Sequence, residues 1–577
     1  CEPRREVRRH GRRKVRPGVT ATNELAGGFA GFFITYTSGN PSVLENVYAS
    51  CDVRAKSGGP VAGGNNTVAK AGEGTAKNCY YNSYKVAPET QGMALEAAVG
   101  KTTSEMKSAA FAALLGGDVW AVDSTDKQSV INNGYPYLLK ATPDAAAPVQ
   151  EKIEVSLLIA PYDQTGYCFV PGKVLTVQTA GESITVKDVM DAAQQAGLLT
   201  YKAEQSSYGY YVSAINGTEP ESPSGWMFTI NDKVSGVGMS AAQVKPGDKI
   251  LWYEGTASNH YAAPAWEEMT APEPPVYEDI YTKEQLLALA ESQNPAEDWK
   301  KNYRLMADID LSGVAFTPIG TEDIPFAGIF EGNGKTIANM TVTKGEGSEN
   351  LGLFGCIEGA SILNLTLKNA NVTGGSRMGA LVGVAKADAE KELANLIGNC
   401  HVTGTVYAKG TTVIKQTDAG GLVGVNEGAT DSQSGRSIFS AIDACTADVT
   451  VKADTGAEDK TQSGHVGGFV GWNKGTITKC AASGQVLGGN TTGGFAGSNF
   501  GSIYLSHATG NVTAGYTVGG FVGSSGVGST MENCYATGNV VANAPNSGAY
   551  FGGFAGAVSG KVKNCVSTGT LTPGWSY

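Results

Sequence analysis

Along residues 467–571 the apolar positions come in short alternating runs broken by glycine, the pattern of half-buried strands rather than of helices. GGFVGWNKGTITKCAASGQV at 467–486 returns as GGFAGSNFGSIYLSHATGNV at 493–512, GGFVGSSGVGSTMENCYATGNV at 519–540 and GGFAGAVSGKVKNCVSTGTL at 552–571. The leading glycines Gly467, Gly493 and Gly519 are 26 residues apart, and Gly552 follows 33 later, a period that signals a solenoid. A strand of this length cannot bury an apolar face alone, whereas copies stacked ~4.8 Å apart pile like side chains on one another. The pattern therefore predicts a parallel β-helix. Its frame is Gly467, Gly468, Phe469 and Gly471, with counterparts Gly493, Gly494, Phe495 and Gly497; Gly519, Gly520, Phe521 and Gly523; and Gly552, Gly553, Phe554 and Gly556. GGFAG at 27–31, leading to LENVYASCDV at 44–53, repeats the theme far upstream.

Helical periodicity is confined to three places. TKEQLLALAESQ at 282–293 begins with Thr282 and Gln285 in capping-box spacing and carries Leu286, Leu287 and Ala290 on one face, which predicts a cap for the downstream array. Thr102 and Glu105 do the same for a helix over 102–117, with Met106, Ala110 and Leu114 on one side and Gly116 as its stop. After it, VWAVD and NNGYPYLL read as closing strands of the upstream array. The third helix, ESITVKDVMDAAQQAGLL, lies among the strands IEVSLLIAP, KVLTVQTAG, YYVSAING, SGWMFTIND and DKILWYEG, and Pro- and Ala-rich linkers bound this α+β insert. The expected divisions are a basic tip at 1–16, an upstream β-helical segment at 17–140, a linker at 141–150, the insert at 151–256, a Pro-rich linker at 257–279 and the downstream β-helix at 280–577.

Composition narrows the class. The 78 glycines are about twice the usual ~7% share and follow no three-residue period, which excludes collagen. Residues 1–16 hold eight basic and two acidic side chains, so the remainder is more acidic than the total of -11 and would repel phosphate backbones. We read the tip as non-native or disordered and expect no nucleic-acid partner. The chain begins with Cys and stops at TLTPGWSY in mid-repeat, so it reads as truncated at both ends; it holds no run of 18 apolar residues. Cys480, Cys534 and Cys565 share one place in their units, with His507 standing for Cys in the fourth and Cys400 and Cys445 analogous. An inward column of small apolar thiols is expected, with few disulfides, although Cys51 and Cys79 could pair.

The units opening GGFVG, GGFAG and GGLVG at 420, 467, 493, 519 and 552, each followed by a (N/K)C-x-x-(S/T)G-like strand, resemble the GLUG repeats of bacterial surface proteins. This resemblance covers 17–140 and 276–577. It implies two right-handed parallel β-helix segments flanking the insert, and it implies adhesin-like proteins or the non-catalytic part of immunoglobulin A peptidases. TVKDVMDAAQQAG, YVSAING, GWMFTIND and VKPGDKILWYEG resemble a β-grasp-like family related to the C-terminal domain of transcobalamin, most closely at Gly225, Trp226, Asn231, Gly247, Asp248 and Trp252. That domain closes over cobalamin in the vitamin carriers. The resemblance thus makes Trp226 and Trp252 candidate cofactor contacts, against the plainer expectation that both indoles pack.

Candidate chemistry is sparse. GIFEGNGKT at 328–336 has five residues between Gly328 and Gly334 where a phosphate loop needs four, and reads as a solenoid turn. DIDLSG at 308–313 opens like a calcium loop, making Asp308 and Asp310 candidate metal ligands, but position twelve is Ile319 rather than a bidentate Glu. None of the five histidines forms H-E-x-x-H, and no G-x-S-x-G occurs. Between 467 and 571 Glu532 is the lone acid; Asp431, Glu458 and Asp459 sit on longer loops. The expectation is a non-enzymatic, cofactor-free, adhesin-like bacterial surface or secreted protein. It would be a monomeric rod projecting the insert and meeting a host or neighbour-cell protein or glycan through loops 384–395, 426–438 and 453–464. Alternatives are the spacer of a large exported peptidase and cobalamin-like binding by 151–256.

Overall fold

The computed structural model describes residues 25–573 apart from 28, 35–41, 51–57, 60–61, 67–73, 84–97, 116–119, 122, 124–134, 139–152, 161–169, 178–183, 196–197, 207–208, 216–219, 221–224, 257–261, 267–274, 392, 410–415, 431–436, 455–462 and 543–548. The protein is mainly β, built of long parallel sheets as β-helical segments require. Each repeat supplies one strand to each of two narrow sheets and several to a broad one. In the 467 unit these are Ser463–Gly467, Val470–Asn473, and then Thr476–Thr478, Ala481–Ala482 and Val486–Leu487. Nine strands form each narrow sheet and 27 form the broad one among the described residues.

The GGF corner explains the sequence frame. A Cβ on Gly467 would lie 2.1 Å from the Val470 carbonyl oxygen, and one on Gly468 would lie 2.1 Å from that of Gly494 in the next rung. Gly493, Gly494, Gly519 and Gly520 repeat both contacts at 2.1 Å. Gly471, Gly497, Gly523 and Gly556 abut the neighbouring backbone at 2.4–2.6 Å in the same way. With side chains excluded there, Phe469, Phe495, Phe521 and Phe554 turn inward and stack with centroids 4.7, 4.8 and 4.9 Å apart. A second corner falls one residue before the inward cysteines. Asn399, Ala444, Lys479, Leu505, Asn533 and Asn564 all have φ between 51° and 58°, a left-handed conformation that asparagine tolerates best.

The two arrays, separated in sequence by the insert, share one core. Leu25–Gly27 pairs in parallel with Tyr550–Gly552, Ala30–Ile34 with Ala555–Val558, and Ser42–Ala49 with Lys561–Lys563 and Val566–Ser567. Phe29 stacks on Phe554 at 4.8 Å, continuing the phenylalanine column, and Asn46 and Asn78 extend the amide ladder begun by Asn533 and Asn564. The upstream coils therefore stand on the downstream ones as further rungs.

Lys283–Ala290 covers the start of the stack. Thr282 Oγ1 accepts from the Gln285 amide and Gln285 Oε1 accepts from the Thr282 amide, so the capping box closes both ways. Its buried face is Leu286, Leu289 and Ala290, with Leu287 only partly covered, because the third-and-fourth-residue spacing rotates the stripe by one position from that expected. The helix expected over 102–117 is two, Thr103–Met106 and Ala109–Leu114. Ser108 Oγ accepts from the Phe111 amide and restarts the helix. That break buries Met106, Phe111 and Leu115 over Tyr48, Tyr80 and Val566 on the outer face of the broad sheet, and leaves Leu114 50% exposed.

The insert forms its own core. Ile153–Ala160 and Lys249–Gly255 run parallel at the centre of a five-stranded sheet, and Val186–Gln195 supplies the helix.

Candidate functional site

Trp226 and Trp252 are 5% and 2% exposed and belong to the insert's core, Trp252 lying 4.8 Å from Phe228. Neither indole presents a face on which a planar cofactor could stack. Asp308 and Asp310 are both engaged. Asp308 Oδ1 accepts from the Thr336 amide at 2.8 Å, and Asp310 Oδ1 accepts from Ser312 Oγ, the Ser312 amide and Asn339 Nδ2 at 2.6–2.9 Å. These hydrogen bonds hold the Asp310 carboxyl down at about 2, and no group of three or more His, Cys, Asp or Glu is arranged for a metal among the described residues.

Cys400, Cys445, Cys480, Cys534 and Cys565 are free, fully buried thiols. The Cys400 amide donates to Cys445 Sγ at 3.3 Å and the Cys445 amide to Cys480 Sγ at 3.4 Å, so they form one column. Burial pushes the Cys445 and Cys565 thiols well above their usual range, so these two are held as neutral thiols. The fourth unit departs from the expected placement. Ser506, not His507, stands in the column and accepts from the Cys480 amide at 3.0 Å, while His507 turns outward and stacks on Tyr535 at 4.6 Å. Cys79 is also a free buried thiol, so it is not paired with Cys51, which lies outside the described residues.

A cluster absent from the sequence expectations lies where the two narrow sheets meet, on the rungs from 322 to 500. Register puts Asn350, Arg377, Asp418 and His465 side by side on successive strands of the first sheet. Opposite them, Cys356, Val384, Val425 and Trp472 form a small apolar row on the second. Asp418 is 3% exposed, and its Oδ1 is 2.6 Å from His465 Nδ1. The His465 ring stacks on Trp472 at 5.6 Å, and Phe500 meets Trp472 edge-on at 6.1 Å. Lys474 Nζ sits 4.4 Å over the same indole, a cation held by the ring's quadrupole.

Ion pairs complete the margin. Arg377 reaches Glu322 at 3.2 Å and Glu349 at 3.6 Å, with φ of 49°, an uncommon backbone state for arginine. Glu427 occupies the turn position that Lys474 and Phe500 take in the next two rungs. Burial raises the Glu427 carboxyl, and Lys474, Lys386 and Arg377 pull it back. The hairpin of Gly428–Thr430 with Ser437–Phe439, from the loop expected at 426–438, lays the Phe439 ring against Gly428. Phe439 and Phe500 are 43% and 47% exposed. The result is an aromatic strip with ionised side chains of both signs along its edges. Such a surface stacks on apolar faces and hydrogen-bonds to hydroxyl or amide groups.

The GLUG motif matches residues 462–487 and 514–541, and a domain of unknown function, DUF4430, matches 184–256. Halomucin of Haloquadratum walsbyi is 32% identical over an alignment of 163 residues that covers 26% of this chain and 2% of that protein, so the chain spans a small part of the relative's length. A Bacteroides ovatus protein assigned as an immunoglobulin A1 protease is 23% identical, covering 51% of this chain and 85% of the other at a TM-score of 0.36. Haptocorrin in complex with Cbi is 18% identical, covering 21% and 29%, at 0.15. The described residues contain no helix long and apolar enough to cross a membrane, which leaves β-barrels unaddressed. The chain thus carries GLUG motifs on a parallel β stack and shares a segment with halomucin.

Proposed function

We propose that this chain is a binding portion of a secreted or surface-displayed rod, without catalysis of its own, and that the strip around Trp472 is its contact for a glycan of a host or neighbouring cell. The observation that carries the reading is the run of exposed aromatic rings at Phe439 and Phe500 flanking Trp472 and Lys474 on adjacent rungs. Sugar rings offer an apolar face and a hydroxyl rim, and rungs spaced ~4.8 Å apart allow several weak contacts along one polymer. The ionisable groups there pair with one another, Arg377 with Glu322 and Glu349, and His465 with Asp418, which suits a preorganised polar margin. The GLUG motifs and the halomucin similarity support the exported setting.

The test is binding of the full chain to a panel of immobilised polysaccharides. For a bound glycan, Phe500→Ala is expected to weaken affinity roughly tenfold, about 1.4 kcal/mol, as loss of one aromatic contact does. Trp252→Phe, deep in the insert, should leave it unchanged. Equal affinity for wild type and both Phe500→Ala and Phe439→Ala would remove the strip from the binding role.

A further inference from the structure

The outer face of the broad sheet carries a column of side chains in which one step is left low. Register sets Thr446, Ala481, His507, Tyr535 and Val566 on successive rungs. The residues that follow three of them, Ala482, Ala508 and Ala536, lie in the core, so strand alternation turns the column outward. Both ends are filled. Thr446 Oγ1 is 2.9 Å from His401 Nδ1 on the rung before, and Met106, Phe111 and Leu115 of the outer helices pack with Val566, Tyr48 and Tyr80. Between these ends the His507 and Tyr535 rings stack with centroids 4.6 Å apart and planes within 3° of parallel. The next place in that stack lies over Ala481, where only a methyl group stands.

The column runs beside the left-handed corner at Lys479, Leu505 and Asn533, and Thr478, outward on the far side of that corner, is only 6% exposed. Burial lowers the His507 pKa to about 4 and raises that of Tyr535 to about 12, so both rings are neutral near pH 7. Among the described residues neither the His507 ring nitrogens nor the Tyr535 hydroxyl has a hydrogen-bond partner. The Lys479 ammonium has no carboxylate in ion-pair contact and feels Asp443 only from further off. We propose that the Ala481 step is a subsite for a carboxylated sugar: the pyranose stacks on His507 over the Ala481 methyl, its hydroxyls meet the polar atoms of His507 and Tyr535, and its carboxylate pairs with Lys479. A pyranose supplies an apolar C–H face and a hydroxyl rim together, and desolvated polar groups without protein partners gain most from a ligand that brings them. The carboxylate adds a charge-assisted contact to an ammonium that has none. This subsite does not rest on the Trp472 strip, which lies on the narrow sheets.

The test applies the full chain to immobilised glycans bearing glucuronate, galacturonate or sialate units, each beside its carboxyl-reduced form. Wild type is expected to bind at least one acidic member and to bind the reduced form roughly tenfold more weakly, as loss of one charged contact does. Lys479→Gln should bring affinity for the acidic form down to that for the reduced one. Ala481→Phe puts a ring into the low step of the column, so it should abolish the binding while the urea midpoint stays at or above that of wild type. Phe500→Ala, on the Trp472 strip, should leave it unchanged. Acidic-glycan binding that survives Ala481→Phe, or that is equal in wild type and Lys479→Gln, would overturn the subsite. Binding lost in Phe500→Ala but kept in Ala481→Phe would also overturn it, while supporting the Trp472 strip. Absence of binding to every acidic member would overturn it too, whatever the reduced members do.

Discussion

At the residue scale, the fold turns on positions where a side chain is either forbidden or stacked. The Gly494 α-carbon faces the Gly520 carbonyl oxygen, 2.1 Å from where a Cβ would stand. The contact is with backbone and the next neighbour is the short Ala508 methyl at 3.2 Å, so no flexible side chain can yield. Gly494→Ala is therefore expected to destabilise by about 3 kcal/mol or to separate rungs locally, read as a lower denaturant midpoint. His507 makes a second prediction. Burial beside Tyr535 lowers its pKa from 6.5 to about 4. Because the unfolded chain takes up a proton first, the stability from the neutral ring is complete above pH 6.5 and declines as pH falls from there towards 4. Relative to His507→Phe, wild type should lose at most about 3 kcal/mol between pH 7 and pH 4 in matched urea titrations. A parallel pH dependence in both proteins would contradict that assignment.

The same residues show what was legible. The GGF frame was readable because a steric prohibition leaves glycine in every copy. Motif likeness sets His507 in the cysteine column, whereas the constant 26-residue spacing from Cys480 leads to Ser506. The column Arg377–Asp418–His465 carried no such signal. Loops of unequal length separate its members, so no fixed spacing marks them as neighbours, and only strand register brings them together.

At the scale of elements, short strands gain stability from the column they join. Phe495 lies between Phe469 and Phe521 at 4.7 and 4.8 Å, and Phe495→Ala should cost about 3–5 kcal/mol through lost burial and the cavity left in the stack. Thr282→Ala, which removes one side of the capping box, should cost about 1 kcal/mol. Thermal unfolding of the two variants checks the ranking, and a larger effect from Thr282→Ala would mean that the cap rather than the column limits stability. Helix existence was legible from capping spacing at Thr102 and Thr282. Helix continuity was not, because Ser108 serves equally as a helix-interior residue and as a new cap, and only packing over Tyr48 and Tyr80 decides between them.

For the whole molecule, the repeats announce a stack while the order of its parts follows from pairing that no local pattern encodes. More than 500 residues separate Asn46 from Asn564, yet their side chains share a hydrogen bond. One core running through both arrays means that the rungs where the 25–49 strands meet the 550–567 strands are interior rungs. The amides of Phe554 and Ala555 are the direct reporters, since the carbonyl they donate to is that of Phe29. The deciding measurement is native-state hydrogen exchange on the intact chain, comparing the peptide over 550–558 with that over 517–525. A continuous stack predicts equally slow exchange in both, because each is covered by a further rung. Exchange at 550–558 that is fast, as on an open solenoid end, while 517–525 stays protected, would contradict the single stack.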